Sequence, residues 1–241
     1  MNALLKSKNM PFLALILGGV GAVLRWLLYA LTTDEKNLIP VGHPLGIGLW
    51  IVTAAAAVLI LAAVLPLRNA ENHPDRFRRD VPAALGSLAA AAGIGLTVLL
   101  GSGEAAGALG ILWKITGVMA FASLDVIAGC RWQGRQPFFV LHALVCVFFA
   151  IHMVSCYRGW SSNPQLMDYV FTLFSCIGLM LFAFHHSCLE VGMGKLRVLP
   201  AVGLLSVYCC TVALSGSDAP WLCLGGALWA ATNLCRLHTG E

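Results

Sequence analysis

The sequence predicts an all-α integral membrane protein, a single polytopic bundle of about eight transmembrane helices. Of its 241 residues, 59% are hydrophobic and only 11% are charged, and the mean hydropathy is +0.83. A soluble domain carries about a quarter charged residues, and a chain of 25.6 kDa has no core large enough to hide this much apolar surface. A soluble globular fold is therefore excluded.

The predicted spans are apolar stretches of about 20 residues, the length needed to cross ~30 Å of hydrocarbon. They cover residues 11–31, 46–67, 81–101, 109–130, 138–156, 169–187, 198–215 and 220–237, of which the last two are the shortest. Because a domain that folds alone needs about 50 residues, the short connections leave residues 1–241 as one transmembrane domain without a soluble catalytic module. The expected surroundings are the lipid bilayer, and no nucleic acid partner is expected.

Lysine and arginine orient these spans, since positive charge in short loops stays on the cytoplasmic side. With the N-terminus inside, eleven of the fifteen Lys and Arg residues fall in inner segments. Outer segments hold only Lys36 and Arg158, and Arg25 and Lys114 lie within spans. The sequence therefore predicts that both termini face the cytoplasm, in a plasma or inner membrane.

The first span also matches the start of a signal peptide, because Lys6 and Lys8 precede an apolar run. A cleavage site is poorly matched after Tyr29, and Arg25 interrupts the run. We therefore expect the segment to be kept as a helix.

The first, second and third spans are rich in small residues. Pairs spaced by four, such as Gly18 with Ala22 and Gly86 with Ala90, let helix backbones approach closely in lipid, where no hydrophobic effect pulls helices together. The sequence predicts that the first half of the chain is the tightly packed half.

The fourth span carries Lys114 and Asp125. They are eleven residues apart, and at about 100° per residue this spacing places them within about 20° of each other on the same helix face. Because lipid penalises charge, this face is expected to look into the bundle. Asp125 is too short to reach the headgroups and needs a partner. His142, at similar depth on the fifth span, is the expected one.

The sixth span ends in His185 and His186, with Glu190 just beyond, so these residues are expected to join Asp125 and His142 in an inner polar cluster. An imidazole beside a carboxylate titrates near neutral pH, which suits a proton-coupled step. The alternative is an interhelical hydrogen bond that only satisfies buried groups.

A second polar set lies toward the outer side. Arg25 and Lys114 either extend their stems to the headgroups or line an outer cavity, suited to an anionic or polar ligand, together with His152, Arg158 and Asp168. The outer segment 157–169, with Trp160 and turn residues, is either an interfacial connection or a loop that closes over the outer mouth.

The nine cysteines all lie in spans or at their ends, and none forms a CxxC pair. In an apolar helix a cysteine behaves as a small buried hydrophobe. No metal site, catalytic residue or bound cofactor is expected.

Parts of the second half resemble small polytopic membrane proteins of anaerobic bacteria that have no assigned activity. The resemblance runs through His142, the segment 157–169 and the run Leu-Met-Leu-Phe-Ala-Phe at 179–184, continuing to Gly-Met-Gly at 192–194. It implies a membrane fold and assigns no functional residue.

Four classes of function remain. A carrier or permease for a small molecule or ion needs charges along a pathway, and Arg25, Lys114, Asp125 and His142 supply them, so we place it first. A non-catalytic scaffold or assembly subunit needs only packing. A b-type cytochrome needs paired histidines, for which only His142 with His185 or His186 qualifies. A membrane enzyme needs a clustered acid–base or metal set, and no HExxH motif is present.

Overall fold

The computed structural model describes residues 9–32, 42–65, 79–101, 107–160, 169–193 and 197–236. All regular elements in these ranges are α-helices: α1 (Met10–Thr32), α2 (Pro44–Val64), α3 (Val81–Leu100), α4 (Ala108–Gln133), α5 (Phe139–Trp160), α6 (Val170–Glu190), α7 (Val198–Ala213) and α8 (Pro220–Arg236). The predicted all-α class is thus confirmed for the described residues.

Six helices, α1 to α6, are long and apolar enough to cross a membrane. The remaining two are shorter, with 16 residues in α7 and 17 in α8. The chain is therefore a helical membrane protein. Eight crossings and cytoplasmic termini stay predictions.

Helices α3 to α8 close into a ring. Each packs against the next along the chain, and α8 packs back against α3 through the most extensive helix contact in the protein. Helices α1 and α2 lie outside this ring, where both contact α7 and each other. We refer to the Glu190 end of the bundle, where α4 and α6 end and α5 and α7 begin, and to the Trp160 end, where α5 and α7 end and α6 and α8 begin.

Large apolar side chains cover the outside of the bundle. Leu99 is 82% exposed and Phe138 is 79% exposed, and many Leu, Ile and Val residues of α1 and α2 are also open. Water would penalise such a surface by about 25 cal/mol per Å², whereas lipid tails do not. Only part of the chain's many hydrophobic residues are therefore packed in the interior, and the rest form the outer surface.

The contact between α3 and α8 depends on glycine. A Cβ atom added to Gly225 would lie 2.6 Å from the carbonyl oxygen of Ala89, and one added to Gly86 would overlap the hydroxyl of Thr232. The two backbones therefore touch directly, as small residues permit in membranes. Gly86 and Ala90 do pack closely, but the helix that they meet comes from the second half of the chain. The prediction that the first half is the tightly packed half is wrong, because α1 and α2 bury the smallest share of their length among the six long helices.

The start of α3 is tied to the end of α4 at the Glu190 end. The Asp80 carboxylate accepts a hydrogen bond from the Ala83 amide at 3.2 Å, which caps the first turn, and Pro82 occupies a position that needs no amide donor. The amide of Asp80 donates to the carbonyl of Arg131 at 3.0 Å. This connection fixes how far α3 and α4 slide past each other.

Candidate functional site

A buried imidazole–carboxylate pair lies at the Glu190 end of the ring. His142 Nδ1 is 3.0 Å from Oε2 of Glu190 and 2.9 Å from Oε1, and the two side chains are 1% and 2% exposed. His142 lies one turn into α5, and Glu190 is the last residue of α6. The pair therefore joins the beginning of one helix to the end of its neighbour.

The position of Glu190 follows from how α6 stops. Gly192 has a φ of +81°, which favours glycine, and the amide of Met193 turns back to the carbonyl of Cys188 at 3.0 Å. This is a Schellman ending, which stops α6 directly after Glu190. In this last turn the carboxylate of Glu190 points inward toward α5 instead of outward to solvent.

Two further bonds brace the same junction. Gln136 Nε2 donates to the backbone carbonyl of Glu190 at 2.8 Å, and Ser187 Oγ donates to the carbonyl of Phe139 at 3.0 Å. Both run between the α5 side and the α6 side of the junction. The helix ends around the pair are thus held at two backbone points.

A layer of aromatic rings covers the inner side of the pair. The rings of His142 and His186 stack with centroids 5.1 Å apart, and Trp229 of α8 stacks on both at 6.2 and 6.3 Å. Phe182 meets His186 and Trp229 edge-on. Within the described part of the chain, the buried Nε1 of Trp229 has no hydrogen-bond acceptor. The layer brings α5, α6 and α8 together across the ring.

The prediction that Asp125 pairs with His142 is wrong. Asp125 is exposed on α4, and no described residue contacts its carboxylate by a hydrogen bond or ion pair. Lys114 is exposed as well, so the polar face of α4 looks away from the bundle. The inward face carries Trp113, Thr116, Ala120, Ser123, Leu124, Ile127 and Ala128 instead.

That stripe of small and apolar residues, spaced by three and four, was the signal that could have excluded Asp125. Similar depth along two helices alone cannot pair residues. Three members of the predicted inner polar cluster, His142, His186 and Glu190, do lie together. His185 is only partly buried and packs edge-on against Phe184. Trp229 and Gln136 were missed.

Arg25 of α1 is directed into the protein. The side chain is 2% exposed, and its guanidinium donates to the carbonyls of Val212 and Ala213 at 3.4 and 3.5 Å and to that of Gly216 at 3.4 Å. The carbonyl end of a helix carries partial negative charge, so a cation is stabilised there. Arg25 thereby caps α7 and neither extends to the headgroups nor lines an open cavity.

His152 of α5 is fully buried at the same half of the bundle. Its Nδ1 accepts a hydrogen bond from Trp113 Nε1 at 2.8 Å, and its Nε2 lies 3.6 Å from Cys156 Sγ. An indole N–H can only donate, so the imidazole is neutral with its proton on Nε2. Arg158 is exposed, and Asp168 lies outside the described residues. The predicted outer set is therefore not gathered into one site.

Metal and haem ligation find little geometric support among the described residues. No three His, Cys, Asp or Glu side chains there are placed to hold a metal ion, and all nine cysteines are free thiols. His142 and His186 turn their faces toward each other, so axial ligation of a haem by this pair would require both rings to rotate.

Comparison with known proteins adds no assignment. No family model, curated protein or solved structure matches the chain. The candidate site thus depends on its own geometry.

Proposed function

We propose that the chain is a carrier for a small molecule or an ion, and that its cycle moves a proton on and off the His142–Glu190 pair. The observation that carries this proposal is the almost complete burial of both ionisable side chains at one end of a closed ring of helices. Ionisable groups inside a membrane bundle are costly and commonly belong to proton or substrate pathways.

The pair can exist in two charge states. When both ring nitrogens of His142 carry a proton, the imidazolium and the Glu190 carboxylate together have no net charge. After that proton leaves, a neutral imidazole still donates Nδ1–H to the carboxylate, but the pair carries one negative charge. A buried net charge is expensive, so proton binding favours the closed junction of α5 and α6, and proton release favours its opening to water.

The test is proton flux into vesicles. Purified protein is reconstituted into liposomes holding a pH-sensitive dye, potassium and a potassium ionophore carry the compensating charge, and the outside is acidified. We expect faster acidification than in protein-free liposomes and a fall to that background in Glu190→Gln. Asp125→Asn is the matched control, because it removes an exposed carboxylate from the neighbouring helix, and it should keep the wild-type rate. Flux at the protein-free level in the wild type would overturn the carrier proposal.

A scaffold or assembly subunit is the second candidate. The braces from Gln136 and Ser187 favour it, because they tie α5 to α6 beside the pair as a purely structural ion pair would. For a scaffold we expect no flux in any variant, together with a lower unfolding temperature in Glu190→Gln.

A further inference from the structure

The short turn between α7 and α8 is held from two other helices and from α8 itself. Asp218 accepts a hydrogen bond from Trp160 Nε1 of α5 at 3.2 Å, and the carbonyl of Gly216 accepts one from Arg25 of α1 at 3.4 Å. Cys223 Sγ of α8 lies 3.7 Å from Ser217 Oγ. Three consecutive residues of this turn are therefore each attached to a different helix.

Trp160 is the buried partner in the hydrogen bond to Asp218. It is the last residue of α5, it is only 6% exposed, and its indole stacks on Tyr169 with ring centroids 4.6 Å apart. Asp218 itself is exposed. One hydrogen bond thus joins a buried ring to a side chain in solvent, at the surface of the Trp160 end.

Four buried thiols lie beneath the turn. They come from four successive helices, α5 to α8, and each is at most 5% exposed: Cys156, Cys176, Cys210 and Cys223. Cys223 lies within electrostatic range of the other three, and Cys156 lies within range of the Asp218 carboxylate. A thiol reacts only when it is exposed to solvent as the thiolate, so these four report whether the interior is open at this end.

We propose that the α7–α8 turn, residues 214–219, is a movable closure of the Trp160 end and that the Trp160–Asp218 hydrogen bond is its clasp. The closure rests on the proposed function, because a carrier needs a barrier at each end of its pathway and the His142–Glu190 pair supplies only one. Of the two attachments to α1 and α5 described above, the clasp has the solvent-exposed side chain, so water competes for it directly. The Arg25 attachment comes from a side chain that is 2% exposed, and it holds the turn in place while the clasp opens.

The test measures how fast a membrane-impermeant maleimide modifies each thiol in the reconstituted protein, with the labelled sites assigned by mass spectrometry. Trp160→Phe keeps the ring but removes the N–H donor, and Asp218→Ala removes the acceptor. We expect each to raise the modification rate of Cys156 and Cys223 by about three- to tenfold, the change that the loss of one net hydrogen bond produces. Tyr157→Phe is the control, since Tyr157 is 55% exposed on the same turn of α5, and it should leave the rates unchanged.

Two results would overturn the clasp. One is an unchanged rate at both thiols in both variants. The other is an equal rise at Cys188, which lies near the Glu190 end, because that would indicate general loosening. The outcomes separate the two proposals. Unchanged thiol rates with flux that Glu190→Gln abolishes would remove the clasp and keep the carrier. Faster thiol modification in a protein without flux would remove the carrier proposal and keep the Trp160–Asp218 hydrogen bond as the contact that closes this end.

Discussion

The protonation state of His152 is set by a hydrogen bond from a tryptophan. Trp113 donates to His152 Nδ1 in a fully buried contact, so the imidazole can act neither as a cation nor as a donor through that nitrogen. The sequence suggested a polar or anionic ligand near this histidine. The structure instead pairs it with another side chain of the protein, which is why a lone histidine in an apolar helix says little about ligands.

We predict that Trp113→Phe destabilises the protein by about 1 to 3 kcal/mol, because it leaves the buried Nδ1 of His152 without a donor. Thermal unfolding in detergent, followed by circular dichroism, measures the loss. Trp132→Phe is the control, since Trp132 lies on the same helix but is 47% exposed. Equal losses in the two variants would show that ring size and not the hydrogen bond matters.

At the scale of helices, the α3–α8 seam closes the ring. On the α3 side, Gly86 was visible in the sequence as one of two small residues spaced by four, but the spacing did not indicate which helix would meet it. The partner is α8, the helix most distant along the chain from α3 within the ring. Lateral neighbours of this kind are set by how all helices pack together, which no single helix pattern encodes.

For the same seam we predict that Gly225→Ala lowers stability by about 1 to 3 kcal/mol, because its methyl group would meet the Ala89 backbone. Gly129→Ala should be neutral or stabilising by up to about 1 kcal/mol, since nothing lies within 4 Å of the added carbon and alanine favours a helix. Unfolding in mixed detergent micelles compares the two variants. A seam of no importance would give both substitutions the same effect.

At the scale of the whole molecule, the two shortest helices decide the topology. At 1.5 Å per residue, α7 is about 24 Å long and α8 about 26 Å long, which is a little less than the ~30 Å of hydrocarbon. Short spans are accommodated by local thinning of the bilayer at a modest cost. Their place inside the ring also fits a full crossing, because each packs between two neighbours.

We therefore predict an even number of crossings, with reporter fusions after Arg79, Arg135, Arg197 and Glu241 cytoplasmic and those after Lys36, Glu104, Asn163 and Asp218 outside. Paired alkaline phosphatase and fluorescent protein fusions provide the measurement, since the first is active only outside and the second fluoresces only inside. A cytoplasmic signal after Asp218 would mean that α7 and α8 do not cross the membrane.

By itself the sequence determined the class of protein and the approximate helix bounds. Long apolar runs, together with Pro and Gly at their ends, specify where a chain enters and leaves lipid, and segment 109–130 corresponds to Ala108–Gln133 for this reason. Only the tertiary structure decided the partner of His142. Successive residues in a helix point about 100° apart. Asp125 and Leu124 are therefore neighbours along the helix axis but face different directions, Asp125 being exposed and Leu124 buried. Pairing depends on this rotation and on which helices adjoin, and both arise from the packing of the whole bundle.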